Sequence, residues 1–132
     1  MSAALHHGSC LCGAVCYAVT GPLRPVVICH CGQCRKQTGH YLAATSVKLE
    51  HLRISRADTL RWYRASDAAE RGFCGTCGSV MFWRPADGSG ISITPGTLDG
   101  PTGLRIEGHI FCADKGDYYD VPAEGYCRAQ WS

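Results

Sequence analysis

Cys74-Gly75-Thr76-Cys77-Gly78 decides how the rest of the chain is read. A Cys-x-x-Cys turn aims two sulfurs at one point, and its glycines let backbone amides face the thiolates. A second short pair, Cys10-Leu11-Cys12, lies far upstream. Zinc favours four ligands in a tetrahedron with Zn–S near ~2.3 Å, so two such pairs make one closed structural site and clamp two strands together. Cys10 and Cys12 with Cys74 and Cys77 fit that description. Between them, Cys29-His30-Cys31-Gly32-Gln33-Cys34 packs three sulfurs into one short run. Three protein ligands leave a tetrahedral zinc with an open position, which marks a catalytic rather than a structural site. His30 cannot easily turn toward the same metal as both its neighbours and is read as oriented elsewhere.

The composition agrees with a metal scaffold. Ten of the 132 residues are Cys, close to the level at which a disulfide or metal framework is expected. With 45% hydrophobic residues, 18% charged and a formal net charge of +2, the chain reads as one compact zinc-binding domain over 1–132, with 1–7 a loose N-terminus. That balance excludes a solvated disordered chain and a strongly basic nucleic-acid arm. The first residues show no basic region followed by an apolar stretch, and the longest apolar runs, such as 26–29, fall far short of the ~20 residues of a membrane span. The expectation is a cytoplasmic protein, in which clustered cysteines are more often metal ligands or redox groups than disulfides. Two alternatives stay open. The even cysteine count permits a disulfide framework, and Cys31/Cys34 or Cys74/Cys77 would serve as a redox pair, although neither has the usual strand-to-helix setting. Cys16, Cys112 and Cys127 fit no group and read as small buried hydrophobes, with Cys127 the candidate for an exposed thiol.

Glycine and proline cut the chain into short segments without long helical periodicity, so the fold class is mainly β with little helix. Over 13–19, Val15, Tyr17 and Val19 share one face and Ala14, Cys16 and Ala18 the other, as in a strand covered on both sides. Further strands are expected at 41–47, 59–64, 79–84 and 91–94. The cleanest alternation sets Leu104, Ile106, Gly108 and Ile110 against Arg105, Glu107, His109 and Phe111, which puts His109 on the more polar face. Helical turns are expected at 35–39 and 65–69, and loops at 85–90 and 99–103, where Asp99 reads as a turn former.

The motifs together resemble the glutathione-dependent formaldehyde-activating enzymes, the family that also includes the centromere protein V relatives. Gly8-Ser9-Cys10-Leu11-Cys12-Gly13-Ala14-Val15 resembles the opening of that family, and Cys29-His30-Cys31-Gly32-Gln33-Cys34-Arg35-Lys36-Gln37-Thr38-Gly39 its central signature. Phe73-Cys74-Gly75-Thr76-Cys77-Gly78-Ser79, Gly96-Thr97-Leu98-Asp99 and His109-Ile110-Phe111 continue the likeness in the same order, so that it covers roughly 8–119. The resemblance implies a zinc-containing coiled β-sandwich with two zinc ions: a structural one on Cys10, Cys12, Cys74 and Cys77, and a catalytic one on Cys29, Cys31 and Cys34. It implies a carbon–sulfur lyase whose partners are a glutathione-like thiol and a small aldehyde, with formaldehyde giving S-(hydroxymethyl)glutathione. The tail departs from the family pattern. Tyr118 stands where relatives often carry Trp, and Glu124-Gly125-Tyr126-Cys127 replaces the usual Leu-Pro ending.

A zinc on three thiolates carries a site charge of −1, so a template for thiol and aldehyde suits it better than water activation. Arg35 and Lys36 follow the last ligand and are placed to pair with the carboxylates of the thiol, though they read equally as solvated charges. His30, His40 and His109 are candidates for proton transfer, His109 also for substrate contact. Two rival classes remain: a zinc-stabilised module binding protein or nucleic acid, against which the low net charge argues for nucleic acid, and a thiol redox or zinc-storage protein. With both sites filled, seven thiolates and two zinc ions turn the formal +2 into −1.

Overall fold

Short strands joined by tight turns make up most of the chain, in a computed structural model that describes residues 5–131. Strand content is 42% against 13% helix, so the molecule is mainly β, as expected. The strands are β1 (Leu5–Ser9), β2 (Cys16–Thr20), β3 (Val26–Cys29), β4 (Leu42–Val47), β5 (Leu52–Arg56) and β6 (Leu60–Arg64). They continue with β7 (Ala69–Cys74), β8 (Val80–Pro85), β9 (Ile91–Ile93), β10 (Ile106–Ile110) and β11 (Tyr126–Cys127). One α-helix, α1 (Gly32–Thr38), follows β3. Three strands form a sheet in the order β1-β2-β5, and eight form a second in the order β11-β10-β3-β4-β9-β8-β7-β6.

The core lies where β2 meets β4, β8 and β9. Val15, Tyr17 and Val19 are buried with Val47, Met81, Phe82, Ile91 and Ile93, and Tyr17 meets Phe82 edge to face at 5.3 Å between ring centroids. The Tyr17 hydroxyl is paired with Thr97 Oγ1 at 2.7 Å, so its one polar group stays satisfied inside the core. The opposite side of β2 is covered less fully than expected: Cys16 and Ala18 are only half-buried. Gly8 is required by this packing, because a Cβ there would stand 2.3 Å from the Tyr17 ring.

Four expectations need correction. Residues 5–7 are not loose: they belong to β1, which pairs antiparallel with β2 from Leu5↔Thr20 to Ser9↔Cys16, while 1–4 lie outside the described residues. Residues 65–69 form a hairpin connection instead of a helical turn, since the Ala65 and Ser66 N–H groups both donate to the Ala69 carbonyl. The helix expected at 35–39 begins earlier, at Gly32, because the Cys31 side chain caps it, and it ends where Gly39 turns left-handed at φ 83°. His109 is not on an exposed face: it is buried, while Ile106 is 58% exposed. Gly108, His109 and Ile110 are all buried, so both faces of this end of β10 are covered, and β3 and β11 flank β10 on either side.

Candidate active site

Two turns of like geometry build the first sulfur cluster. After β1, the Gly13 N–H donates to the Cys10 carbonyl and the Cys10 N–H to the Val15 carbonyl; after β7, the Gly78 N–H donates to the Cys74 carbonyl and the Cys74 N–H to the Ser79 carbonyl. Gly13 and Gly78 both sit at φ 80°, where a side chain is strained, so each glycine lets its turn fold back on the sulfurs. The sulfurs of Cys10, Cys12, Cys74 and Cys77 all lie within 4.8 Å of one another. A tetrahedron with metal–sulfur bonds of ~2.3 Å has edges of ~3.8 Å. Cys10 Sγ to Cys12 Sγ is 3.6 Å and Cys12 Sγ to Cys74 Sγ is 3.8 Å, so the cluster has the dimensions of a zinc cage. The Val15 N–H reaches Cys10 Sγ at 3.2 Å, and hydrogen bonds led by the Ser79 hydroxyl pull Cys77 down to about 5.

The second cluster joins the end of β3 to the start of α1, so Cys31 and Cys34 do stand in a strand-to-helix setting, contrary to the sequence expectation. Cys29 closes the strand, Cys31 caps the helix and Cys34 is buried within its first turn. Their three sulfurs lie within 4.8 Å of one another, which fits three corners of the same tetrahedron. The cluster already shares its protons unevenly. Hydrogen bonds from Cys29 and Cys34, then from the Cys34 and Gln33 amides, pull Cys31 down to about 2, and sharing with Cys31 pushes Cys29 well above the usual thiol range. All three cysteines line a cleft of about 720 Å³, whose other walls include Leu42, Trp83, Phe111 and Trp131. Gly32, Gln33 and Arg71 also line an adjoining cleft of about 650 Å³ that reaches Lys36 and Tyr63.

Arg71 is the site residue that the sequence does not announce. It stands on β7 with 4% of its surface exposed, and its Nη2 reaches Cys34 Sγ at 3.5 Å. Nη1 donates to Gln37 Oε1 at 2.9 Å and Nη2 to Gln33 Oε1 at 3.3 Å, two glutamines one turn apart on α1. Its Nε is buried with no partner, so the guanidinium keeps hydrogen-bonding capacity beside the sulfurs. A buried cation next to three thiolates offsets their charge in a setting where water screens little. Arg71→Met keeps much of the volume and removes that charge. The variant is expected to lose zinc from the three-cysteine cluster to a competing chelator roughly tenfold faster while the four-cysteine cluster releases at its former rate, a difference that two-phase release kinetics would resolve.

The remaining candidates fall elsewhere. His30 turns away from the sulfurs, as expected: its Nδ1 pairs with the Tyr119 hydroxyl and its Nε2 with His109 Nδ1 at 2.9 Å. Burial, followed by the nearby His109, His40 and Lys115, lowers His30 to about 4, so it is neutral at pH 7. His40 pairs with the Tyr118 hydroxyl. Arg35 donates from Nε to the Asp114 carbonyl at 3.0 Å, and neither it nor His109 lines the three-cysteine cleft. Lys36 is exposed and lines the adjoining cleft. Cys16 donates to the Gly13 carbonyl at 3.2 Å and is half-buried, and Cys112 and Cys127 lie side by side near the C-terminus.

A mainly β chain with a four-sulfur cluster and a three-sulfur cluster opening into a cleft defines a class, the β-proteins with two cysteine clusters able to hold metal. Within it the chain belongs to the glutathione-dependent formaldehyde-activating enzyme family, whose match covers residues 5–114. It is 26% identical over 116 residues to an uncharacterized lyase of Schizosaccharomyces pombe (strain 972 / ATCC 24843), a match covering 87% of this chain and 84% of that one. The crystal structure of a Rhodobacter sphaeroides protein is similar with a TM-score of 0.63 at 26% identity, covering 76% of this chain and 97% of the other. Family and relative together support a lyase of the glutathione–formaldehyde kind in general, and both cysteine clusters could hold metal. Among the described residues no helix is long and apolar enough to cross a membrane.

Proposed function

We propose that the chain is a zinc-dependent carbon–sulfur lyase that joins and separates glutathione and formaldehyde, with S-(hydroxymethyl)glutathione as the adduct. The observation that carries this reading is the set of three convergent sulfurs, Cys29, Cys31 and Cys34, on the wall of a cleft large enough for a small peptide thiol. A zinc ion there would supply a fourth position for the substrate sulfur, with a site charge of −1 that favours holding the reactants together over activating water. Arg71 offsets that charge beside Cys34. Lys36 in the adjoining cleft is placed to take a carboxylate of a glutathione-like thiol, while Arg24, which lines the first cleft, donates to the Pro25 and Ala44 carbonyls and Arg35 to that of Asp114. Trp83, Phe111 and Trp131 give the cleft an apolar flank that limits water around the aldehyde carbon.

In the forward direction the sulfur forms a bond to the aldehyde carbon, the carbonyl π pair moves to oxygen, and that oxygen takes the proton the thiol has lost. His30 and His109 are buried outside the cleft lining, and His40 is not among the lining residues either, so the proton is assigned to solvent water rather than to imidazole. A reducing, cytoplasmic setting belongs to the same reading, supported by the seven sulfurs that must stay reduced to bind two zinc ions. Exchange NMR on mixtures of glutathione and formaldehyde tests it. Interconversion with the adduct should run faster with the protein than without. An unchanged rate with glutathione and several small aldehydes would remove the lyase reading for these substrates.

A further inference from the structure

Two sulfurs outside both metal clusters approach each other more closely than the paired sulfurs within the four-cysteine cage. Cys112 Sγ and Cys127 Sγ are 2.7 Å apart, against 3.6 Å for Cys10 and Cys12 and 3.8 Å for Cys12 and Cys74. No third metal-binding side chain joins them among the described residues, so the pair is a dithiol and not a third metal site. The backbone holds them in place. β11 runs parallel to β10 with Cys127 opposite His109, and the Arg128 N–H donates to the His109 carbonyl. The Phe111, Cys112 and Ala113 N–H groups then donate in turn to the carbonyls of Gln130, Arg128 and Ala129, at 3.0 to 3.2 Å. This strap ends at Trp131, which meets Phe111 edge to face at 5.3 Å, and both rings line the cleft that holds Cys29, Cys31 and Cys34.

We propose that Cys112 and Cys127 form a redox modification site, closing to an intramolecular disulfide at the expense of a small-molecule disulfide and thereby pinning the C-terminal strap beside the three-cysteine cleft. Cys127 is exposed and meets the oxidant first, while burial pushes the Cys112 thiol up to about 11 and keeps it protonated until it resolves the intermediate. In the first step the Cys127 thiolate attacks one sulfur of the small disulfide, forming a mixed disulfide and expelling one small thiolate. In the second, Cys112 gives up its proton and attacks Cys127 Sγ, and the second small thiol leaves. The protein loses two electrons and two protons, and the oxidant becomes two thiols. Without the cross-link, the strap depends on the backbone hydrogen bonds of a two-residue strand at the edge of its sheet, where local opening is frequent. With it, opening of the strap must carry Cys112 along.

The test uses the folded chain and glutathione disulfide, followed by acid quenching, alkylation and trypsin. Cys112 and Cys127 are each the sole cysteine of their tryptic peptides, 106–115 and 116–128, so oxidation at the metal clusters does not confuse the map. The expected product is one cross-linked pair, two hydrogens lighter than the sum of the free peptides and absent from Cys127→Ser. Oxidation should also slow hydrogen exchange at the Phe111, Cys112, Ala113 and Arg128 amides by on the order of tenfold or more, and leave Cys127→Ser unchanged. Recovery of two separate alkylated peptides, or of Cys127 stopped as its glutathione adduct, would overturn the disulfide. Unchanged exchange at those four amides would overturn the pinning of the strap. Neither readout involves lyase activity, so this inference and the proposed function stand or fall separately.

Discussion

Cys74→Ser is expected to lower the midpoint of thermal unfolding by roughly 10–20 °C and to reduce the bound zinc from two ions per chain to one. Cys74 is completely buried at the end of β7, which is paired on both sides by β6 and β8. Its sulfur stands 3.8 Å from Cys12 in the turn between β1 and β2, strands of the other sheet. The cluster therefore joins the two sheets, and a metal held by its four sulfurs would tie them together. A serine hydroxyl does not ionise near neutral pH and leaves three sulfurs to hold the ion. Metal affinity lost here is lost as folding stability, because the unfolded chain has no preformed cage. Thermal melts with metal analysis of the same samples would check it. A variant that melts with the wild type and keeps both ions would show that Cys10, Cys12, Cys74 and Cys77 do not hold the structural metal.

That partition of seven cysteines into four and three was legible because it rests on local chemistry. Each pair, and the trio, sits within a few residues, and a turn of given length brings its own sulfurs together whatever surrounds it; that Cys10 and Cys12 meet Cys74 and Cys77 follows from the four-ligand demand of one metal. The strands at 41–47, 59–64, 79–84 and 91–94 were legible for a similar reason: each carries its own apolar or β-branched pattern, and they appear as β4, β6, β8 and β9 with ends shifted by about a residue. Five strands were not expected; β1, β3 and β5 carry apolar residues of their own, whereas β7 and β11 depend on neighbours. β7 reads Ala69-Glu70-Arg71-Gly72-Phe73-Cys74, a poor strand former by itself, and it exists because β6 and β8 pair with it on both edges. β11 is two residues long and is defined only by β10.

Arg71 was hidden by the same effect. An arginine next to Glu70 reads as a charge on a solvated strand face, yet Arg71 shares the buried side of β7 with Ala69. Nothing nearby in sequence shows that Gln33 and Gln37 on α1 will lie over it. The one available signal was the alternation itself, Ala69 and Arg71 at two-residue spacing, and it points to burial only once the strand is known. His109 shows the converse: its alternation was regular, but Gly108, His109 and Ile110 are all buried, so both faces of this end of β10 are covered and the polar face lies inside as well.

Cys31→Ser is expected to bring glutathione–formaldehyde exchange down to the protein-free rate, to reduce bound zinc from two ions to one, and to leave the melting temperature within a few degrees of wild type. The selectivity follows from the place of Cys31 in the fold. It is the N-cap of α1, where its sulfur accepts from the Cys34 N–H at 3.4 Å. Serine is among the best N-cap residues, and its oxygen takes over that hydrogen bond, so the helix and its contacts with Arg71 persist. What serine does not replace is the thiolate: Cys31 is the sulfur that its neighbours hold most strongly in the ionised form, and two remaining cysteines make a poor site for zinc. Cys74→Ser would weaken the whole structure, whereas Cys31→Ser separates chemistry from folding. Exchange NMR, metal analysis and a thermal melt on one preparation give the three readouts. Undiminished exchange with one zinc left would detach the reaction from the three-cysteine cluster, and a large fall in melting temperature would show that Cys31 matters to α1 in more than its cap.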